Sequence, residues 1–88
     1  MIHHANADFW RDYNQLPPSI KIRADKQFAL LKLNPHHPSL QFKKLGERKN
    51  QEIWSARVTL NYRALAIKLP AQYLWFWIGG HDVYDYQT

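Results

Sequence analysis

The 88-residue chain has no cysteine, one methionine and three glycines, and its 7 acidic residues are outnumbered by 12 lysines and arginines. Without cysteine there is no disulfide framework, no thiolate nucleophile and no Cys-ligated zinc or iron–sulfur centre. The longest apolar run, Tyr73 to Ile78, falls far short of the roughly 18 residues that cross a bilayer, so the chain reads as soluble. Its first residues, Met-Ile-His-His-Ala-Asn-Ala-Asp, have neither the basic start nor the apolar stretch of a secretory signal. Together with the missing cysteine, this predicts a cytoplasmic location. No repeat, low-complexity tract or Gly/Ser linker interrupts the chain. A chain this short has room for one small core, so residues 1–88 are expected to form a single domain.

What is present is aromatic and basic. Four Trp, five Tyr and four Phe supply large apolar surfaces, and the formal charge of +5 favours a phosphate-bearing or acidic partner. Prolines and turn residues divide the chain into six segments. Ala7 to Gln15 reads as a short helix, with Phe9 and Tyr13 four apart and acids in its opening turn. Pro18 opens a second helix that Pro35 ends; Ile20, Ala24, Phe28 and Leu31 recur on its apolar stripe. From Leu40 the period changes to alternation. Leu40 and Phe42 point one way and Gln41 and Lys43 the other, while Glu52 to Val58 sets Trp54, Ala56 and Val58 against Ile53, Ser55 and Arg57. Tyr62 to Leu69 alternates less cleanly. Tyr73 to Ile78 is apolar on both faces, which suits a covered central strand. The expected fold is α+β: an N-terminal helical hairpin packed on one side of a mostly antiparallel four-stranded sheet. Ile2 to Asn6 is too short and polar to count as a further strand.

The pieces from His37 onward form an ordered series. They are His-Pro-Ser-Leu (37–40), Phe-Lys-Lys-Leu (42–45), Trp-Ser-Ala-Arg-Val (54–58), Tyr-Arg-Ala-Leu (62–65) and Trp-Phe-Trp-Ile-Gly-Gly-His-Asp-Val-Tyr-Asp (75–85). This series resembles the RelE/ParE toxin superfamily of bacterial type II toxin–antitoxin systems, and within it the RelE-like branch that ends in Ile-Gly-x-His-x-x-Tyr-Asp. The resemblance runs from about Phe9 onward and includes the Leu-Pro-Pro before the long helix and the Asn-Pro after it. It implies a cytoplasmic toxin neutralised by a cognate antitoxin. For RelE-like members it also implies ribosome-dependent cleavage of mRNA, which inhibits translation and needs neither metal nor other cofactor. ParE-like members share the fold but poison gyrase. An inactive member that only binds its antitoxin is the remaining alternative.

Metal-free RNA cleavage requires a deprotonated 2′-hydroxyl, a stabilised five-coordinate phosphate and a protonated leaving oxygen. Arg57 lies on the wet face of its strand and Arg63 begins the next, so a hairpin around Thr59-Leu60-Asn61 would bring two guanidiniums to one phosphate. These positions match the arginines that RelE-like enzymes use. The alternative is that each pairs with Glu52 or Asp82 on the sheet surface. His81 and Tyr84 match the family's C-terminal His and Tyr, with His81 as general acid or base and Tyr84 as a stacking or proton-relay group. The two glycines before His81 suggest a sharp turn there, and Asp82 and Asp85 either raise the imidazole's pKa or cap the turn.

Lys43 is the better placed of the two strand lysines for RNA, with Lys44 at the strand end. Arg48 and Lys49, like the helix cations Lys21, Arg23, Lys26 and Lys32, would add sequence-independent attraction to ribosomal RNA or simply solvate the surface. Glu47 and Glu52 are the nearby carboxylates, and neither is assigned as the base. His3-His4 and His36-His37 are adjacent residues whose rings diverge in extended chain, so no metal site is expected. All four tryptophans, Trp10, Trp54, Trp75 and Trp77, are expected in the core.

Overall fold

The apolar periods of the sequence pair into one sheet with both helices against a single face. The computed structural model describes residues 2–80. Strand β1 (Ile2–Ala5) leads into α1 (Ala7–Asn14) and α2 (Pro18–Leu33). After a 3-10 turn at Pro38–Leu40 come β2 (Lys43–Arg48), β3 (Gln51–Thr59), β4 (Tyr62–Leu69) and β5 (Gln72–Gly80). The spatial order is β1-β5-β4-β3-β2, antiparallel throughout except that β1 runs parallel to β5.

The fifth strand corrects the expected four. In a meander of β2 to β5 alone, β5 would be an edge strand, with its apolar faces and unpaired backbone open to water. Pairing Ile2 to Ala5 with Gln72 to Trp75 removes that edge. What recruits this polar segment is His3. Its ring stacks on Tyr73 and Trp75, lies edge-on to Phe28, and accepts a 3.0 Å hydrogen bond from Trp75 Nε1. The middle position of the sheet therefore falls to β4, where Arg63, Ala64, Leu65 and Ala66 are all buried.

The core lies between the helices and the sheet. Leu31 and Leu40 meet Ala56, Val58, Ala64, Trp75 and Ile78 there, and each fully buried Leu contributes about 2 kcal/mol. Asn6 caps α1 through a 2.9 Å bond from the Phe9 amide. On α2 the buried residues are Ala24, Gln27 and Leu31, so the helix is rolled slightly from the expected stripe and leaves Phe28 at its rim. Buried Gln27 donates to Ser39 O (3.3 Å) and to Arg57 O (3.1 Å), tying α2 to the 3-10 turn and to β3.

Two local expectations are also revised. The alternation starting at Leu40 begins only at Lys43, because Pro38 starts a 3-10 turn that ends with Gln41 in the left-handed region (φ 41°, ψ 46°). Gly79 and Gly80 continue β5 with no positive φ, so there is no sharp turn at the glycines themselves. Trp75 and Trp77 are buried and Trp54 packs against the core, whereas Trp10 is 50% exposed on α1. Among the described residues, no helix is long and apolar enough to cross a membrane.

Candidate active site

The sheet face turned away from the helices carries the candidate residues Arg57, Arg63 and Lys43. The β3–β4 hairpin turns at Leu60-Asn61, with the Asn61 amide bound to Thr59 Oγ1 at 3.2 Å. This turn sets Arg57 directly opposite Arg63, and Gly79 of β5 continues the row. Residues facing each other across an antiparallel ladder point to the same side, so both guanidinium stems rise from one face. The row beside it is Lys43, Ser55, Leu65 and Trp77. Leu65 and Trp77 form a small second cluster with the partly buried Leu45 and Phe76, an apolar patch next to the cations.

Arg63 is only 8% exposed. Its Nη1 donates to Ser55 Oγ at 3.4 Å and its Nη2 to Gln41 Oε1 at 3.1 Å. These two acceptors are neutral oxygens from β3 and from the turn before β2. Arg57 is half-buried, and its Nε is a buried donor with no hydrogen-bond partner among the described residues. The ladder slips between Arg57 and Thr59, and the Arg57 carbonyl there accepts from Gln27. Glu52 pairs with neither arginine. It accepts from Trp54 Nε1 at 2.9 Å, and that bond holds its carboxyl below the usual range, making it a weak base. Glu52 also lies five residues along β3 from Arg57, about 17 Å at roughly 3.4 Å per residue. Asp82 lies outside the described residues.

The other candidates separate cleanly. Lys43 faces Ser55, one row from the arginines, and is brought to the site. Lys44 faces Trp54 and binds Glu47 at 3.0 Å, so it is not. Arg48 and Lys49 sit at the β2–β3 turn, where Lys49 and Asn50 both take positive φ (53° and 65°), at the opposite end of β3. His81, Tyr84 and Asp85 lie outside the described residues; Gly80, which precedes His81 in the chain, pairs with Tyr62 beside Arg63. At this end of the sheet a groove of about 250 Å³ is lined by Asp12, Leu16, Tyr62, Trp77, Gly79 and Gly80. A Cβ on Gly79 would sit 2.7 Å from Trp77 Cζ2, so glycine is what lets the indole lie along the strand beneath the arginine row.

Gln27, Gln41 and Asp12 were not singled out by the sequence pattern. A glutamine or aspartate in a helix or turn carries no periodic signal, and the bonds of the two glutamines span 12 to 30 residues of chain. Chemically, two guanidiniums on one face can bind a phosphate, and such a contact is stronger in less polar surroundings than in open water.

No family model matches the chain, and no curated protein sequence does. Solved structures do. The RelB–RelE antitoxin–toxin complex of Methanococcus jannaschii contains a chain with TM-score 0.71 and 17% identity, covering 97% of this chain and 99% of that one. The YoeB/ParE toxin of Agrobacterium tumefaciens gives TM-score 0.68 at 15% identity, covering 92% and 99%. A RelBE toxin–antitoxin complex of Mycobacterium tuberculosis gives 0.63 at 23%, covering 90% and 95%. These likenesses are likenesses of fold, and they run across nearly the full length of both partners.

Proposed function

We propose that this chain, which has the RelE/ParE toxin fold, is the toxin of a toxin–antitoxin pair and acts as a ribosome-dependent mRNA endonuclease. The observation that carries the reading is the direct cross-strand pair Arg57–Arg63. Like charges set opposite each other destabilise a sheet, and a core built for stability alone would not place them on a half-buried face. A bound phosphate turns this repulsion into attraction from two planar forks.

In this mechanism Arg57 and Arg63 hold the scissile phosphate and stabilise the charge that builds on its oxygens. Lys43 steers the neighbouring backbone phosphate. His81, which follows Gly80 in the sequence, is the proton-transfer group, and Tyr84 stacks on a base or relays the proton. The ribosome presents the mRNA, which accounts for a site with cations but little apparatus for reading bases. The antitoxin partner is acidic, to match the +5 chain. The apolar cleft of about 190 Å³ between α1, α2 and the sheet, open at Trp10 and Phe28, offers such a segment a place to bind.

The test is to map mRNA 5′ ends in a translating extract with purified protein. Cuts confined to ribosome-bound message support the proposal. Growth arrest accompanied by DNA breaks and intact message would instead assign the protein to gyrase poisoning.

A further inference from the structure

We infer that Gln27 is a positioning residue for the phosphate site: from α2 it holds the peptide that follows Arg57, and so sets the direction in which that arginine leaves β3. The inference rests on the phosphate-binding reading of the arginine pair and adds to it a residue from the helical layer.

The first reason is the place of Gln27 in its helix. Ala24, Gln27 and Leu31 are the buried residues of α2, and an apolar residue at 27 would continue their stripe. A buried amide is costly unless its hydrogen bonds are made. Those of Gln27 go to the carbonyls of Ser39 and Arg57, at 3.3 and 3.1 Å. Both partners are acceptors only, so it is the NH2 group, with its two hydrogens, that faces them. The second reason is where the Arg57 carbonyl lies. The β3–β4 register slips between Arg57 and Thr59, and at such a slip the ladder is interrupted and the strand can re-aim a side chain. A peptide is planar, so holding the oxygen of the Arg57–Val58 peptide restrains ψ of Arg57 and φ of Val58 together. Val58 is itself 4% exposed in the core, which secures the far end of the same peptide. The third reason is the arginine side chain. Its Nε is buried with no hydrogen-bond partner among the described residues, so along the stem the direction of Arg57 comes from backbone and packing rather than from an acceptor. A polar residue kept in an apolar stripe to hold two backbone carbonyls, one of them at the site, is the kind of local conflict expected where function outweighs folding.

Two full-length variants test this. Gln27→Met keeps the length and bulk but has no donor; Gln27→Asn keeps an amide but is one methylene short of Arg57 O, and serves where loss of both bonds prevents folding. Leu31→Val is the stability control, because it loosens the same helix one turn further on, where the side chain has no hydrogen bond to lose. The probe is a short single-stranded RNA with 2′-O-methyl riboses, titrated at several salt concentrations well below the melting temperature of each variant. Both Gln27 variants should bind about tenfold more weakly than the parent, an effect of the size measured between coupled neighbours. Their slope of log affinity against log salt should fall by up to about 0.7, the share of one phosphate contact. Leu31→Val should melt lower yet keep the parental affinity and slope. In an Arg57→Ala background the Gln27 substitutions should cause no further loss of binding, because Gln27 acts through Arg57. The positioning role is overturned if the Gln27 variants bind as the parent does, if Leu31→Val loses as much, or if the Gln27 effect adds in full to that of Arg57→Ala; the phosphate site itself survives each of these results. If Arg57→Ala binds as the parent does, the phosphate-site reading fails and the inference falls with it.

Discussion

Arg57 and Arg63 are direct partners in the β3–β4 ladder, and Arg63 Nη1 and Nη2 donate to Ser55 Oγ and Gln41 Oε1. The hairpin thus concentrates positive charge on the face that the helices leave open. Much of what surrounds the pair serves to hold it there, and the consequences can be measured separately.

Gln27 anchors the backbone of that pair. Its amide nitrogen is shared between the Ser39 and Arg57 carbonyls, and the residue is 5% exposed. Gln27→Leu keeps the bulk but leaves two carbonyls without this donor, a loss of about 1–3 kcal/mol. Urea unfolding should show a lower midpoint with an unchanged slope. An unchanged midpoint would mean that the carbonyls find other partners and that α2 does not need this tie.

The two adjacent lysines should behave differently. Lys43 faces Ser55 on the arginine side, whereas Lys44 faces Trp54 and is engaged by Glu47. Lys43→Ala should weaken binding of single-stranded RNA and reduce the slope of log affinity against log salt by about 0.7, the value for one phosphate contact. Lys44→Ala should leave the slope unchanged. Titrations at several salt concentrations decide this, and equal effects from the two variants would contradict the register-based assignment.

His3 makes the sheet edge sensitive to pH. Burial lowers its pKa from 6.5, with the charge of Lys32 adding to the effect, and its Nδ1 must be unprotonated to accept from Trp75 Nε1. Folding therefore favours the neutral ring. This contribution to stability is fully present above pH 6.5 and is lost as pH falls below 6.5 toward the lowered folded value. Chemical unfolding between pH 7.5 and 5 should show a steeper loss for the parent than for His3→Phe. Parallel curves would show that β1 is held by backbone pairing alone.

How much of this was legible beforehand follows from the range of each signal. The two helices, the strand from Tyr62 to Leu69 and the opposition of Arg57 and Arg63 are written in local periods and a short hairpin, and the structure has them all. Strand β1 was missed because its pairing depends on Trp75, 72 residues away from His3, and not on its own composition. The early start given to β2 was wrong because a left-handed residue at Gln41 interrupts the alternation. Trp10 was placed in the core by residue type, but a helix as short as α1 has room for only part of its aromatic surface against the sheet, and the rest stays exposed.

The most direct measurement is the cleavage rate of message on programmed ribosomes for the parent, Arg57→Ala and Arg63→Ala, with circular dichroism to show that each variant is folded. Loss of one donor to the developing phosphate charge should slow cleavage by about 10²–10³-fold. Folded variants of both arginines that cleave at the parental rate would contradict the assignment of this pair as the phosphate site.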